Sequence, residues 1–91
     1  MNYIISYDIP DNKQRKKVSD FLEGFGERVQ ESVFECELPS KKISKLVKEL
    51  AELIDEEGNI RIYPLCSDCF DKAINIGKFT KTIASEGFGI F

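Results

Sequence analysis

The chain has no histidine, only three cysteines and only three prolines among its 91 residues. Without histidine, the Ser-His and Cys-His nucleophile pairs and the His-rich zinc sites are excluded. No apolar run approaches the length that spans a bilayer, and no basic segment followed by an apolar one opens the chain, so a cytoplasmic protein with no membrane partner is expected. Three cysteines are an odd number and make no self-contained disulfide framework. A strong positive charge is missing too. Lys and Arg total 13 against 16 Asp and Glu, and a net charge of −3 argues against a protein that simply coats nucleic acid. The chemistry left to it is that of carboxylates, lysines, tyrosines, thiols and any metal the carboxylates recruit.

Charge is unevenly distributed. Residues 1–48 carry nine Lys/Arg and eight Asp/Glu, whereas residues 49–91 carry four and eight, so a phosphate-facing surface belongs to the first half. That half opens with MNYIISYDIPDNKQ. Tyr3, Ile4, Ile5 and Tyr7 have the composition of a buried central strand, and Asp8 ends it. A carboxylate at a strand end is rigidly held yet reaches solvent, as a metal ligand or general base must. Ile9-Pro10 forces a turn, and Asp11 with Gln14 has the form of a capping box opening a helix.

Val18, Phe21, Leu22 and Phe25 follow at helical spacing, and Gly24 or Gly26 is expected to take a left-handed stop. The outer face of this helix carries Lys13, Arg15, Lys16 and Lys17, either a solvated surface or a phosphate-binding rim beside the acid. In GERVQESVFECEL, Val29 and Val33 lie on one alternation and Phe34, Cys36 and Leu38 on the other, a conflict that a bulge, bend or tight hairpin near residues 31–33 resolves. A second helix runs from a Ser40 cap through Ile43, Leu46, Val47, Leu50, Leu53 and Ile54, with Asp55-Glu56-Glu57 in the loop beyond it. NIRIYPL at 59–65 reads as an edge strand because of Pro64. Residues 67–71 suggest a helical turn and residues 73–77 a short strand. The terminal Phe88-Gly89-Ile90-Phe91 is apolar enough to dock on its own domain or on a partner. The succession suits an α+β, ferredoxin-like βαββαβ fold with an additional C-terminal strand or tail. Residues 1–78 form the domain and residues 79–91 the tail, and self-association covers the second sheet face.

The blocks YDI at 7–9, the basic helix from Asp11, GERVQESVFECEL at 26–38, RIYPL at 61–65 and the C-x-x-C after it together resemble the small CRISPR-associated nuclease of the spacer-acquisition module, a family related in fold to VapD-type toxins. The resemblance covers about residues 3–77. It implies a homodimer in which Asp8 from each subunit faces the other across the two-fold axis, with the last strand crossing to the partner. It further implies a metal-dependent endonuclease acting on RNA or duplex DNA, or a non-catalytic adaptor that bridges integrase subunits. Arg15, Lys17 and Arg28 match basic positions of the family, and Arg28, Ser32 and Phe34 match its R-x-x-x-S-x-F block.

If Asp8 is the catalytic and metal-binding residue, two copies can share one Mg²⁺ or Mn²⁺ that keeps several waters, with Arg15 or Arg28 stabilising the developing oxyanion. Lys13, Lys16 and Lys17 complete the expected nucleic-acid-binding set. The bland readings are an Asp8 that only bonds turn amides, an Asp11 that only caps, and arginines in an interface or surface ion pair. Ser32, Phe34, Phe88 and Ile90 are expected to be structural or interfacial, and Cys66 and Cys69 to be buried, redox-active or half of a thiolate zinc site. Three functions stay open: an endonuclease of antiviral spacer acquisition, a DNA-gripping adaptor that docks an integrase, and, more remotely, a small-molecule regulatory module.

Overall fold

The structure, a computed structural model, describes residues 1–77. The expected tail, with Phe88 and Ile90, lies outside the described residues, as does its boundary with the domain. The apolar run at the amino terminus forms strand β1 (Asn2–Asp8), followed by helix α1 (Asn12–Glu23), strands β2 (Gly26–Gln30) and β3 (Val33–Glu37), helix α2 (Ile43–Ala51), strand β4 (Asn59–Leu65) and the short helix α3 (Ser67–Asp71). The strands form one antiparallel sheet in the order β2-β3-β1-β4. This is the split, ferredoxin-like arrangement: each helix connects two strands that leave a gap for a third.

Period-two alternation assigns the two faces. Tyr3 lies opposite Cys36, and Ile5 lies between Phe34 and Ile62. These residues join Val18, Leu22, Leu46 and Leu50 in the core. The rings of Tyr7 and Phe34 stack at 6.3 Å. The other face presents Asn2, Ile4, Ser6 and Asp8, flanked by Glu35 and Glu37 on β3 and by Arg61 and Tyr63 on β4. The phase change in GERVQESVFECEL is a two-residue turn at Glu31-Ser32 with a register shift between Arg28 and Gln30.

Four local expectations are corrected. Gly24 ends α1 at φ −78°, in the right-handed region, so no left-handed stop is used there. Gly26 is glycine for another reason: a Cβ there would come within 2.1 Å of the Glu35 carbonyl oxygen and 2.8 Å of Cys36 Cα, so only a bare backbone fits between the strands. Ser40 does not cap α2. Ser40–Lys42 form a single 3-10 turn entered from Pro39, and α2 starts at Ile43 without a side-chain cap. Residues 73–77 pair with no strand among the described residues; Ile74 and Ile76 are 82% and 89% exposed there. The apolar run of α2 also outlasts the helix, yet Leu53 and Ile54 still pack against the core from the loop.

Candidate active site at the end of the central strand

Asp8 is the last residue of β1, one of the two strands hydrogen-bonded on both sides. Its register partner is Asn59 at the start of β4, and the preceding Tyr7 N–H donates to the Ser32 carbonyl at 3.1 Å. The backbone under the carboxylate is therefore held from two directions. The side chain points to the sheet face away from the helices and is exposed. Among the described residues no donor or cation is seated on it.

Its neighbours in this corner are engaged. Asp11 Oδ2 accepts the Gln14 N–H at 2.9 Å, the cap that the sequence suggests. The reciprocal half of the box is absent because the Gln14 amide reaches across to Asp55. Nε2 donates to Asp55 Oδ2 at 3.1 Å and Oε1 accepts the Asp55 N–H at 3.2 Å. With the Glu57 N–H added at 2.9 Å, these donors, the Gln14 amide foremost, hold the Asp55 carboxyl below its usual range. Arg15 donates to the carbonyls of Ile9 (2.8 Å) and Pro10 (3.3 Å) and to Asn12 Oδ1, so it fixes the turn that follows Asp8.

Arg28 lies on the other side of the sheet, opposite Phe34 in register. Its guanidinium donates to the Glu31 carbonyl and to Ser19 Oγ, sits 5.1 Å above the Phe34 ring and lies 3.6 Å from the Glu23 carboxylate. Arg15, Lys16 and Arg28 come together around a notch of about 220 Å³, floored by Tyr7 and Ser19 and rimmed by Asn12 and Glu31. Lys16 also pairs with Asp20 at 3.0 Å in exposed surface. Lys13 and Lys17, one turn apart on α1, are exposed outside this notch. Ser32 supplies only a carbonyl in the hairpin turn, and Phe34 is core. The basic rim and Asp8 thus occupy opposite faces within one chain, joined only through the turn that Arg15 holds.

Two polar groups on the Asp8 face were not anticipated. Asn2 is buried with an unpartnered Oδ1, and Glu35 has an unpartnered Oε1, its carboxyl pKa pushed up by burial. A charged residue in the VFECE alternation was the only signal, and alternation assigns it to solvent. Ser19, which sits beside Val18 on the inner stripe of α1, was likewise missed.

No group of three or more metal-ligating side chains occurs among the described residues. Mg²⁺ is typically held by one or two carboxylates and keeps several waters, and the exposed Asp8 carboxylate is a hard oxygen donor of that kind.

Residues 1–73 match the family model described as CRISPR associated protein Cas2. The chain is similar to the CRISPR-associated endoribonuclease Cas2 3 of Synechocystis sp., at 53% identity over 69% of this chain and 70% of that protein. It is 48% identical to the CRISPR-associated endoribonuclease Cas2 1 of Chloroflexus aurantiacus over 85% of each. Among solved structures, a chain of a partial Cas6-RT-Cas1–Cas2 complex superposes with a TM-score of 0.73 at 35% identity, over 82% of this chain and 89% of that one.

Proposed function

This chain belongs to the CRISPR-associated Cas2 family, and from that premise we propose that it is an endonuclease of spacer acquisition, hydrolysing phosphodiester bonds in RNA or DNA as a homodimer. The observation that carries the catalytic part is the free, exposed Asp8 carboxylate at the end of the central strand, beside two other aspartates that are both engaged in hydrogen bonds. A residue whose task was to close the turn would be bonded to it. Asp8 is not, and Arg15 closes the turn in its place.

The two Asp8 carboxylates of the dimer would together hold a single shared Mg²⁺ or Mn²⁺. When bound, the ion supplies a Lewis acid that polarises the phosphate and lowers the pKa of a coordinated water. The chain's own part is to hold the carboxylate on a strand clamped from both sides and to keep the 9–10 turn rigid. Lys13, Lys16 and Lys17 offer cationic surface for the phosphate backbone. Arg28, already engaged with Ser19 and Glu31, contributes charge to the notch rather than a mobile finger.

Homodimerisation is supported by apolar surface that one chain leaves uncovered. Tyr63 on the Asp8 face is 46% exposed, and Ile74 and Ile76 lie beyond β4, whose outer edge has no partner among the described residues. The partner beyond the dimer is a Cas1-type integrase, a reading supported by the complex from which the similar solved chain comes. That observation also favours a second role, in which the dimer grips duplex DNA and bridges integrase subunits without cutting.

The deciding experiment is cleavage of single-stranded RNA and duplex DNA by wild type and Asp8→Asn across Mg²⁺ concentration. The expected result is Mg²⁺-dependent cleavage, abolished by EDTA and reduced at least about 100-fold in the variant, more than changes behind a metal's ligands cost. Full activity in Asp8→Asn refutes the catalytic assignment. No cleavage by either protein, with duplex binding intact, leaves the bridging role.

A further inference from the structure

Cys66 and Cys69 flank the corner where the chain leaves β4 and enters α3. Both are exposed and both are free, and their sulfurs lie 3.2 Å apart, in contact with each other. The third thiol, Cys36, is an internal contrast: it lies fully buried between Tyr3 and Gly26, and burial, reinforced by the neighbouring Glu35 carboxylate, pushes its pKa up to about 11. Nothing in the proposed nuclease chemistry uses any of the three.

We propose that Cys66 and Cys69 are a redox-active dithiol that closes to an intrachain disulfide by exchange with small-molecule disulfides. The sulfurs are already in contact and open to solvent, so closing the bond requires only a short approach within one turn. The two thiols are also unequal. The backbone N–H of Cys69 and the contact between the two sulfurs lower the pKa of Cys66, while that same contact raises the pKa of Cys69. Cys66 is therefore the attacking thiolate and Cys69 the resolving thiol.

The exchange balances in two steps. The Cys66 thiolate attacks one sulfur of the external disulfide, forming a mixed disulfide and expelling one thiolate. Cys69 then loses its proton and attacks the Cys66 sulfur, closing the 66–69 bond and expelling the second thiolate. The protein loses two electrons and two protons, and the external disulfide becomes two thiols. A thiolate metal site is the weaker reading, because the pair offers two ligands and no third metal-ligating side chain joins it among the described residues.

The test uses the purified full-length protein as it stands. In the reduced state, a maleimide should label two thiols per chain under native conditions and the third only on unfolding. After treatment with oxidised glutathione, both native labels should be lost, with an intact mass lower by two hydrogens and no chain-to-chain cross-link, and dithiothreitol should restore them. Cys69→Ser should retain glutathione on Cys66, and Cys66→Ser should take it up more slowly on Cys69. Persistence of both native labels, cross-links between chains only, or zinc bound by the pair would each overturn the proposal.

Discussion

On the sheet face beneath the helices, Tyr3, Ile5 and Tyr7 meet Phe34, Cys36 and the apolar stripes of α1 and α2, and every side chain there has an apolar neighbour. On the opposite face of the same strands, Asn2, Ile4, Ser6 and Asp8 stand among Glu35, Arg61 and Tyr63, with buried oxygens left unpartnered on Asn2 and Glu35. Successive residues of one seven-residue strand thus do different work. One set holds the domain together, and the other faces away from the helices, where the proposed metal site and dimer contact would lie. A domain this small has little core to spare, so the separation by parity lets the functional side vary without loosening the fold.

That contrast can be broken or sharpened by substitutions on each side. The largest loss of stability is expected from Phe34→Ala, about 3–5 kcal/mol, because a fully buried ring against Tyr7 and Arg28 is replaced by a void. Urea denaturation reads it, and a cost below about 1 kcal/mol would mean that the helix-covered face does not hold the fold. Gly26→Ala should follow at about 1–3 kcal/mol, since the added methyl has no room against the backbone of β3. Asp11→Ala, which removes the α1 cap, should cost about 1 kcal/mol and lower the helical signal of α1.

Changes on the other face should behave differently. Burial raises the Glu35 carboxyl above its ordinary 4.5. The folded chain then holds that proton more tightly than the unfolded chain. Stability falls as pH rises from 4.5 through the raised value, and the penalty persists at neutral pH. Glu35→Gln removes it, so Tm at pH 7 should rise slightly and the slope of stability just above pH 4.5 should flatten; a lower Tm would show that the carboxylate is stabilising. Asp8→Asn should change unfolding free energy by no more than about 0.5 kcal/mol while removing cleavage. A large loss of stability in that variant would make Asp8 structural and erase the distinction between the faces.

Much of this architecture was legible in the sequence because it rests on local periodicity. The apolar run at 3–7, the helical stripe Val18, Phe21, Leu22 and the displaced alternation around Val33 each encode an element that the fold contains. The helix boundaries were less legible. Pro39-Ser40 resembles a cap, yet the chain makes a 3-10 turn first, and Leu53 and Ile54 continue an apolar pattern after α2 has ended, because the core reaches past the helix. Asp8 could be singled out because position along one strand suffices to place it. The partners of Gln14 and Arg28 could not, since Asp55 is 41 residues away from Gln14 and Ser19 lies on another element from Arg28. Gly26 was misjudged for a similar reason. Its constraint is the backbone of a neighbouring strand, which no local rule sees.

β1 and β3 are the two inner strands, bonded on both flanks, whereas β2 and β4 lie at the margins of the sheet among the described residues. Opening that begins at a margin strips those strands first, so the amide protons of β1 and β3 should be the last to exchange with heavy water. The acid is carried at the end of one of these two inner strands. Its own register partner, Asn59, belongs to the marginal β4, so loss of that strand leaves Asp8 tethered through the Tyr7 N–H to the Ser32 carbonyl.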